Sequence, residues 1–219
     1  MSDRQKLPYS PLIIREHRFD WGQKTYLMGI LNVTPDSFSD GGQFNELESA
    51  LSQAQYMISH GADIIDIGGE STRPNAATIT LEEELNRVIP VITKLRQVSS
   101  IPISIDTSKA KVAQAAIEAG ADIVNDISGG TFDEKMLPTV AKLQVPIILM
   151  HIKGKPKTMQ QLTNYNNLIT EIYDFLQQQM QKAIALGIEK SRIIIDPGIG
   201  FAKNQQQNLE ILKCLSEVK

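Results

Sequence analysis

Short apolar runs alternate along this chain with longer stretches whose apolar residues repeat at helical spacing. The runs cover 26–31, 64–67, 101–106, 123–126, 145–150 and 193–196. They are dense in Ile, Val and Leu, the pattern of parallel strands buried on both faces rather than strands with one wet side. The stretches 47–58, 81–97, 108–119, 134–142, 166–186 and 208–217 predict helices. Thr80-Leu81-Glu82-Glu83 fits a capping box with acids in the first turn, and Pro90 predicts a bend in that helix. Strict strand–helix alternation predicts βα units. Ahead of them, residues 12–21 predict a small hairpin or plug for a barrel floor, with Trp21 as a packing residue.

A weak internal repeat bears on the architecture. Gly61-Ala62-Asp63-Ile64-Ile65-Asp66 recurs two units later as Gly120-Ala121-Asp122-Ile123-Val124-Asn125. Such periodicity favours a (β/α) barrel over a doubly wound sheet; the alternative is a common helix-to-strand turn used twice. A TIM (β/α)8-type barrel takes eight units, typically ~250 residues, and the pattern here yields the first six. The expected division is a floor segment over 1–25 and a barrel over 26–219, lacking the last two βα units. An open arc of this kind leaves its first and last strands unpaired, and hydrophobic edges invite association.

Composition narrows the functional classes. The chain has 219 residues, of which 42 % are hydrophobic, and a net charge of -3. That balance gives no nucleic-acid footprint, and no run approaches the ~20 apolar residues of a membrane helix. A polar, charged N-terminus reads as no secretory signal. Cys214 is the one cysteine, so no internal disulfide can form. The chain reads as soluble, reduced and cytoplasmic.

The chemistry lies at the ends of the predicted strands, the catalytic face of such barrels. Asn32, Asp66, Asp106, Asn125 with Asp126, Met150 with His151, and Asp196 stand there. Singly, each Asp or Asn could cap the next helix; together at one barrel mouth they point to a ligand. Asp106, Asn125 and Asp196 supply acceptors plus one amide, which suits an N–H-rich ring edge such as an aminopyrimidine. Asp66 reads instead as support for its loop. Two loops stand out, 34–42 with Phe38 and 69–74 with Arg73, placed to act as lids or binding loops. Arg73 could pair with a phosphate or stack on a flat ring. No zinc, P-loop or dinucleotide motif is present; the acids at the mouth suit one hard cation such as Mg2+, which bridges substrate phosphates.

Residues 28–42 (MGILNVTPDSFSDGG) and 65–74 (IDIGGESTRP) resemble the two signature motifs of the dihydropteroate synthases. Ser104-Ile105-Asp106-Thr107, Asn125-Asp126-Ile127, Leu149-Met150-His151 and 196–203 follow in family order. The resemblance implies a TIM barrel that condenses 6-hydroxymethyl-7,8-dihydropterin diphosphate with 4-aminobenzoate, releasing pyrophosphate. It implies that Asp106, Asn125 and Asp196 hold the pterin, that Met150 lines its pocket, and that Asn32 ligates Mg2+. Arg73 would face the pterin and the leaving group; Thr72, Pro74 and Phe201 would border 4-aminobenzoate. The family's Ser-Arg-Lys and Arg-x-His motifs lie on later strands that this chain does not reach, and its dimer interface draws on late helices. A homodimer, a sulfonamide-sensitive site and the small-molecule substrates are the expected partners. The competing expectations are a synthase continuing past Lys219, a pterin-binding module that needs a partner, and a methyltetrahydrofolate-binding barrel. The two signature loops argue against the last.

Overall fold

A computed structural model describes residues 10–34, 42–73 and 78–217, with the side chains of 42–45 excepted. Six parallel strands form one sheet in chain order. They are β3 (Met28–Asn32), β4 (Ile64–Gly68), β5 (Ile103–Asp106), β6 (Ile123–Asp126), β7 (Ile147–Met150) and β8 (Ile193–Asp196). The helices between and after them are α1 (Gly42–Ser59), α2 (Leu81–Val98), α3 (Ala110–Ala119), α4 (Met136–Leu143), α5 (Leu168–Ala185) and α6 (Gln205–Lys213). The expected six βα units are therefore present as a partial barrel. The capping box of α2 forms as read, with Thr80 Oγ1 accepting from Glu83 N at 3.2 Å and Thr80 N donating to Glu83 Oε2 at 3.3 Å. Pro90 lies inside α2, which runs on to Val98.

Strand parity divides the sheet. Leu31, Ile65, Ile67, Ile103, Ile105, Val124, Ile147 and Leu149 point outward into one core with Val88, Ile92 and Leu95 of α2 and Val112 and Ala116 of α3. Each such fully buried isoleucine or leucine contributes about 1.5–3 kcal/mol. The intervening residues share the inner face. Its lower layer is apolar: Ile64, Ile123 and Ile148, with Met28 and Ile194, pack on Leu12, Ile14 and Phe19. These last belong to the hairpin of β1 (Leu12–Ile14) and β2 (His17–Phe19), which packs against that layer. Phe19 stacks on Trp21, and Tyr26 meets Phe19 tilted and Trp21 edge-on.

The repeat has a structural explanation. Asp63, ahead of β4, accepts Leu27 N at 2.8 Å and pairs with Lys24 at 2.8 Å. Asp122, ahead of β6, accepts Ile103 N at 2.9 Å and pairs with Arg96 at 2.6 Å and Arg15 at 2.5 Å. Each aspartate satisfies a backbone N–H at the start of the neighbouring strand, so the repeat sets register at the floor. Gly120 closes α3 at φ 117, where a Cβ would stand 2.9 Å from Arg96 Cγ. Gly61 ends its helix at φ 98 with open space around it, so the repeated turn needs glycine for conformation in both copies and for space only at Gly120.

Candidate active site

Above the apolar floor, the inner face turns polar. Asp66 and Ser104 sit side by side in the register, and Gly68, Asp106 and Asn125 form the next row with Asn32 at its end. Met150 and Asp196 are paired at the tops of β7 and β8. The sequence-predicted Asp106, Asn125, Met150, Asp196 and Asn32 are therefore brought to one mouth.

Asp66 joins them, against its reading as loop support. The strand runs two residues past it, so Asp66 is mid-strand and faces inward. Its Oδ2 accepts Asn125 Nδ2 at 3.0 Å. These two residues hold the same final position in the two copies of the repeat. Asp66 Oδ1 and Ser104 Oγ are buried without a hydrogen bond, although the hydroxyl is near enough to favour the charged carboxylate. Asp126 departs the other way. It has the outward parity, and its carboxylate accepts Ser128 N at 2.8 Å and Gly130 N at 3.0 Å. It shapes the turn after β6 and offers nothing to a ligand.

The electrostatics match this arrangement. Burial pushes Asp106 well above the usual carboxylate range, and the charges of Asp66, Asp126, Glu84 and Glu70 push it further. Burial raises Asp66, opposed by Ser104 and Asn125. Asp196 is raised by burial too, and is eased by the Gly198 N–H at 2.7 Å and by Lys203. Carboxylates gathered on a low-dielectric wall, with orphaned acceptors, want a ligand that brings donors or positive charge.

The side of the mouth where the resemblance places 4-aminobenzoate is described in part. Phe201 packs with Met150, Ile127, Ile152, Met159 and Ala202, so the two predicted residues share one apolar wall. Thr72 is half-buried and Arg73 exposed on the loop after β4. Pro74 and Phe38 lie outside the described residues. Sequence reasoning missed how that loop is anchored. Buried Glu84 of α2 accepts Thr107 Oγ1 at 2.6 Å, and Lys109 bridges Glu84 and Glu70. Arg87 adds a bond to Gly69 O at 2.8 Å. A charged residue on a helix reads as surface from sequence, so no pattern could have marked Glu84.

Among the described residues no group of three or more His, Cys, Asp or Glu could hold a metal. Asn32 is exposed at the top of β3 and offers a carboxamide oxygen. Mg2+ is usually held by one or two carboxylates with water and substrate phosphates; Asn32 would add a neutral oxygen to such a set only with a diphosphate supplying the charge.

Known proteins give the same picture. The profile of the pterin binding enzyme family matches residues 28–219. The chain belongs to that family. The dihydropteroate synthase of a Synechocystis species is 56 % identical over 209 residues, covering 95 % of this chain and 72 % of the relative. Among solved structures of the pterin-binding family, the Yersinia pestis dihydropteroate synthase in a sulfonamide drug complex superposes with a TM-score of 0.88. It is 46 % identical and covers 95 % of this chain and 75 % of that one. The Clostridium difficile enzyme, solved in the presence of pteroic acid, superposes at 0.86 with 48 % identity, covering 92 % and 74 %.

Proposed function

We propose that this chain carries dihydropteroate synthase chemistry, joining 6-hydroxymethyl-7,8-dihydropterin diphosphate to 4-aminobenzoate. The observation that carries the reading is the inner row of Asp66, Ser104, Asp106, Asn125 and Asp196, with Asp66 Oδ1 and Ser104 Oγ left unsatisfied. An aminopyrimidine edge supplies the N–H donors such a wall lacks. The dihydropteroate synthase relatives and the pteroic acid and sulfonamide complexes among its neighbours support this substrate class.

In the reaction, the bond between the pterin methylene carbon and the diphosphate oxygen breaks, and pyrophosphate leaves with the electron pair. The aryl amine lone pair forms the new C–N bond, and the amine loses a proton. Asp106, Asn125 and Asp196 hold the ring in place, which lowers the entropic cost of attack. Met150 and Phe201 form an apolar wall that keeps water from the electron-poor methylene carbon. Thr72 borders the second substrate, and Arg73 faces the pterin and presents a guanidinium to the leaving group. Asn32 would hold Mg2+, which supplies positive charge to the departing diphosphate. The cytoplasm as the place of action and a homodimer as the assembly state complete the reading.

The test is pyrophosphate release by the 219-residue chain with pterin diphosphate, Mg2+ and 4-aminobenzoate. Release that requires 4-aminobenzoate supports synthase activity. A second reading, a pterin-binding module without turnover, is favoured by the open sheet, whose inner face leaves Ile30 of β3 64 % exposed. Pterin affinity without release selects it. No affinity for pterin defeats both.

A further inference from the structure

Lysine is almost never fully buried without a charged partner. Lys203, ahead of α6, is 3 % exposed and makes no salt bridge among the described residues. Its ammonium donates to the carbonyls of Phe201 at 2.8 Å and Gly198 at 2.9 Å, and lies 3.0 Å from His151 Nδ1 and 3.4 Å from His151 O. The reaction as derived uses none of these contacts. With its three protons facing backbone and ring acceptors, this ammonium is saturated. It is therefore no substitute for an anion-binding lysine.

The contacts join two pieces of backbone. Phe201 and Gly198 lie in the loop after β8, and His151 follows β7 directly. That loop rests hard on the β7 end: a Cβ on Gly198, at φ 71, would stand 2.1 Å from His151 O. Ala202 is held at φ 54, a left-handed conformation that costs a non-glycine residue energy and persists only when its surroundings enforce it. The neutral ring of His151 supports the same geometry. Burial and the nearby lysines lower its pKa to about 3, so Nδ1 is free to accept from the ammonium.

We infer that Lys203 is a positioning residue that staples the loop after β8 to the end of β7, and so sets the Phe201 wall of the 4-aminobenzoate site. The inference rests on the proposed synthase reading for its substrate, and on geometry for the staple. Asp196 is held by its pairing in β8 and meets Lys203 only through Gly198 N and the lysine's charge, so the effect falls on the second substrate more than on the pterin.

Lys203→Met keeps the length of the side chain and removes its donors. In steady-state kinetics the KM for 4-aminobenzoate is expected to rise about tenfold while the KM for pterin diphosphate changes less than about threefold. Equal losses for both substrates, or no change in either, would overturn the inference. The unsubstituted chain run alongside separates the two claims: if it neither turns over nor binds pterin, the functional reading fails. The staple is tested in that same chain by nitrogen-detected NMR of the lysine ammonium groups. Slowed exchange of the Lys203 protons supports it even if the variant does not fold, and exchange at the rate of surface lysines refutes it.

Discussion

Burial and the carboxylates of Asp66, Asp126, Glu84 and Glu70 all drive the Asp106 carboxyl toward its protonated form. A folded-state pKa above the unfolded one means the native protein keeps a proton that the unfolded chain releases. That contribution to stability is whole below the unfolded carboxylate pKa of about 4 and is lost as pH rises through the raised native value. Asp106→Asn removes the ionisation. The variant is expected to gain about 1 kcal/mol near neutral pH, with the gain fading toward pH 4, and to lose pterin affinity. Thermal unfolding at both pH values and a pterin titration check this; a gain independent of pH would mean that ionisation is not its source. Asn125→Ala acts oppositely on stability. It strips the Asn125 Nδ2 hydrogen bond from buried Asp66, at an expected cost of about 1–3 kcal/mol in denaturant unfolding. Asp106, Asn125 and Asp196 were legible from sequence because a carboxylate or amide at the end of an apolar run stands out. Asp66 was misread because Gly68 carries no hydropathy signal and hides the true end of β4. Lys203 and Glu84 were illegible, since nothing in a hydropathy pattern marks a charged residue whose partners come from distant segments.

At the scale of elements, the apolar runs located all six parallel strands, with β6 and β8 matching to the residue. What the runs concealed was parity. A strand buried on both faces shows no alternation, so the inner polar row emerges only when neighbours are set in register. The anchor of the loop after β4 shows what such long-range pairing does. Lys109, at the start of α3, neutralises Glu84 of α2 and Glu70 of the loop. Lys109→Met leaves two neighbouring acids unpaired. The expected loss of stability is about 2 kcal/mol, below the about 3–5 kcal/mol of a fully buried pair, because the lysine side chain remains 28 % exposed. Adding Glu84→Gln to Lys109→Met should recover most of that loss, since the uncompensated buried charge goes with it. A double variant as unstable as the sum of the singles would show that the two side chains act independently.

The whole molecule is an arc whose two outer strands, β3 and β8, each have one strand neighbour among the described residues. Part of its apolar exposure lies there. Leu27 and Ile30 are 54 % and 64 % exposed on and before β3. On the other side, α6 turns Ile211 into a core with Leu168, Ile172 and Leu176. Its opposite face leaves Leu209 and Leu212 at 52 % and 55 % exposed, with Leu215 beyond at 45 %. Apolar groups gathered in this way drive association, and an unpaired strand adds free backbone donors and acceptors to the same surface. The chain by itself is therefore expected to self-associate, with a sedimentation coefficient that rises with concentration. Leu209→Glu with Leu212→Glu places like charges on the exposed face of α6 without touching Ile211, and should return the sedimentation coefficient toward the monomer value while the helical circular dichroism is kept. Association unchanged by the pair of glutamates would exclude α6 as the contact, and Leu27→Lys, just before β3, then tests the opposite edge.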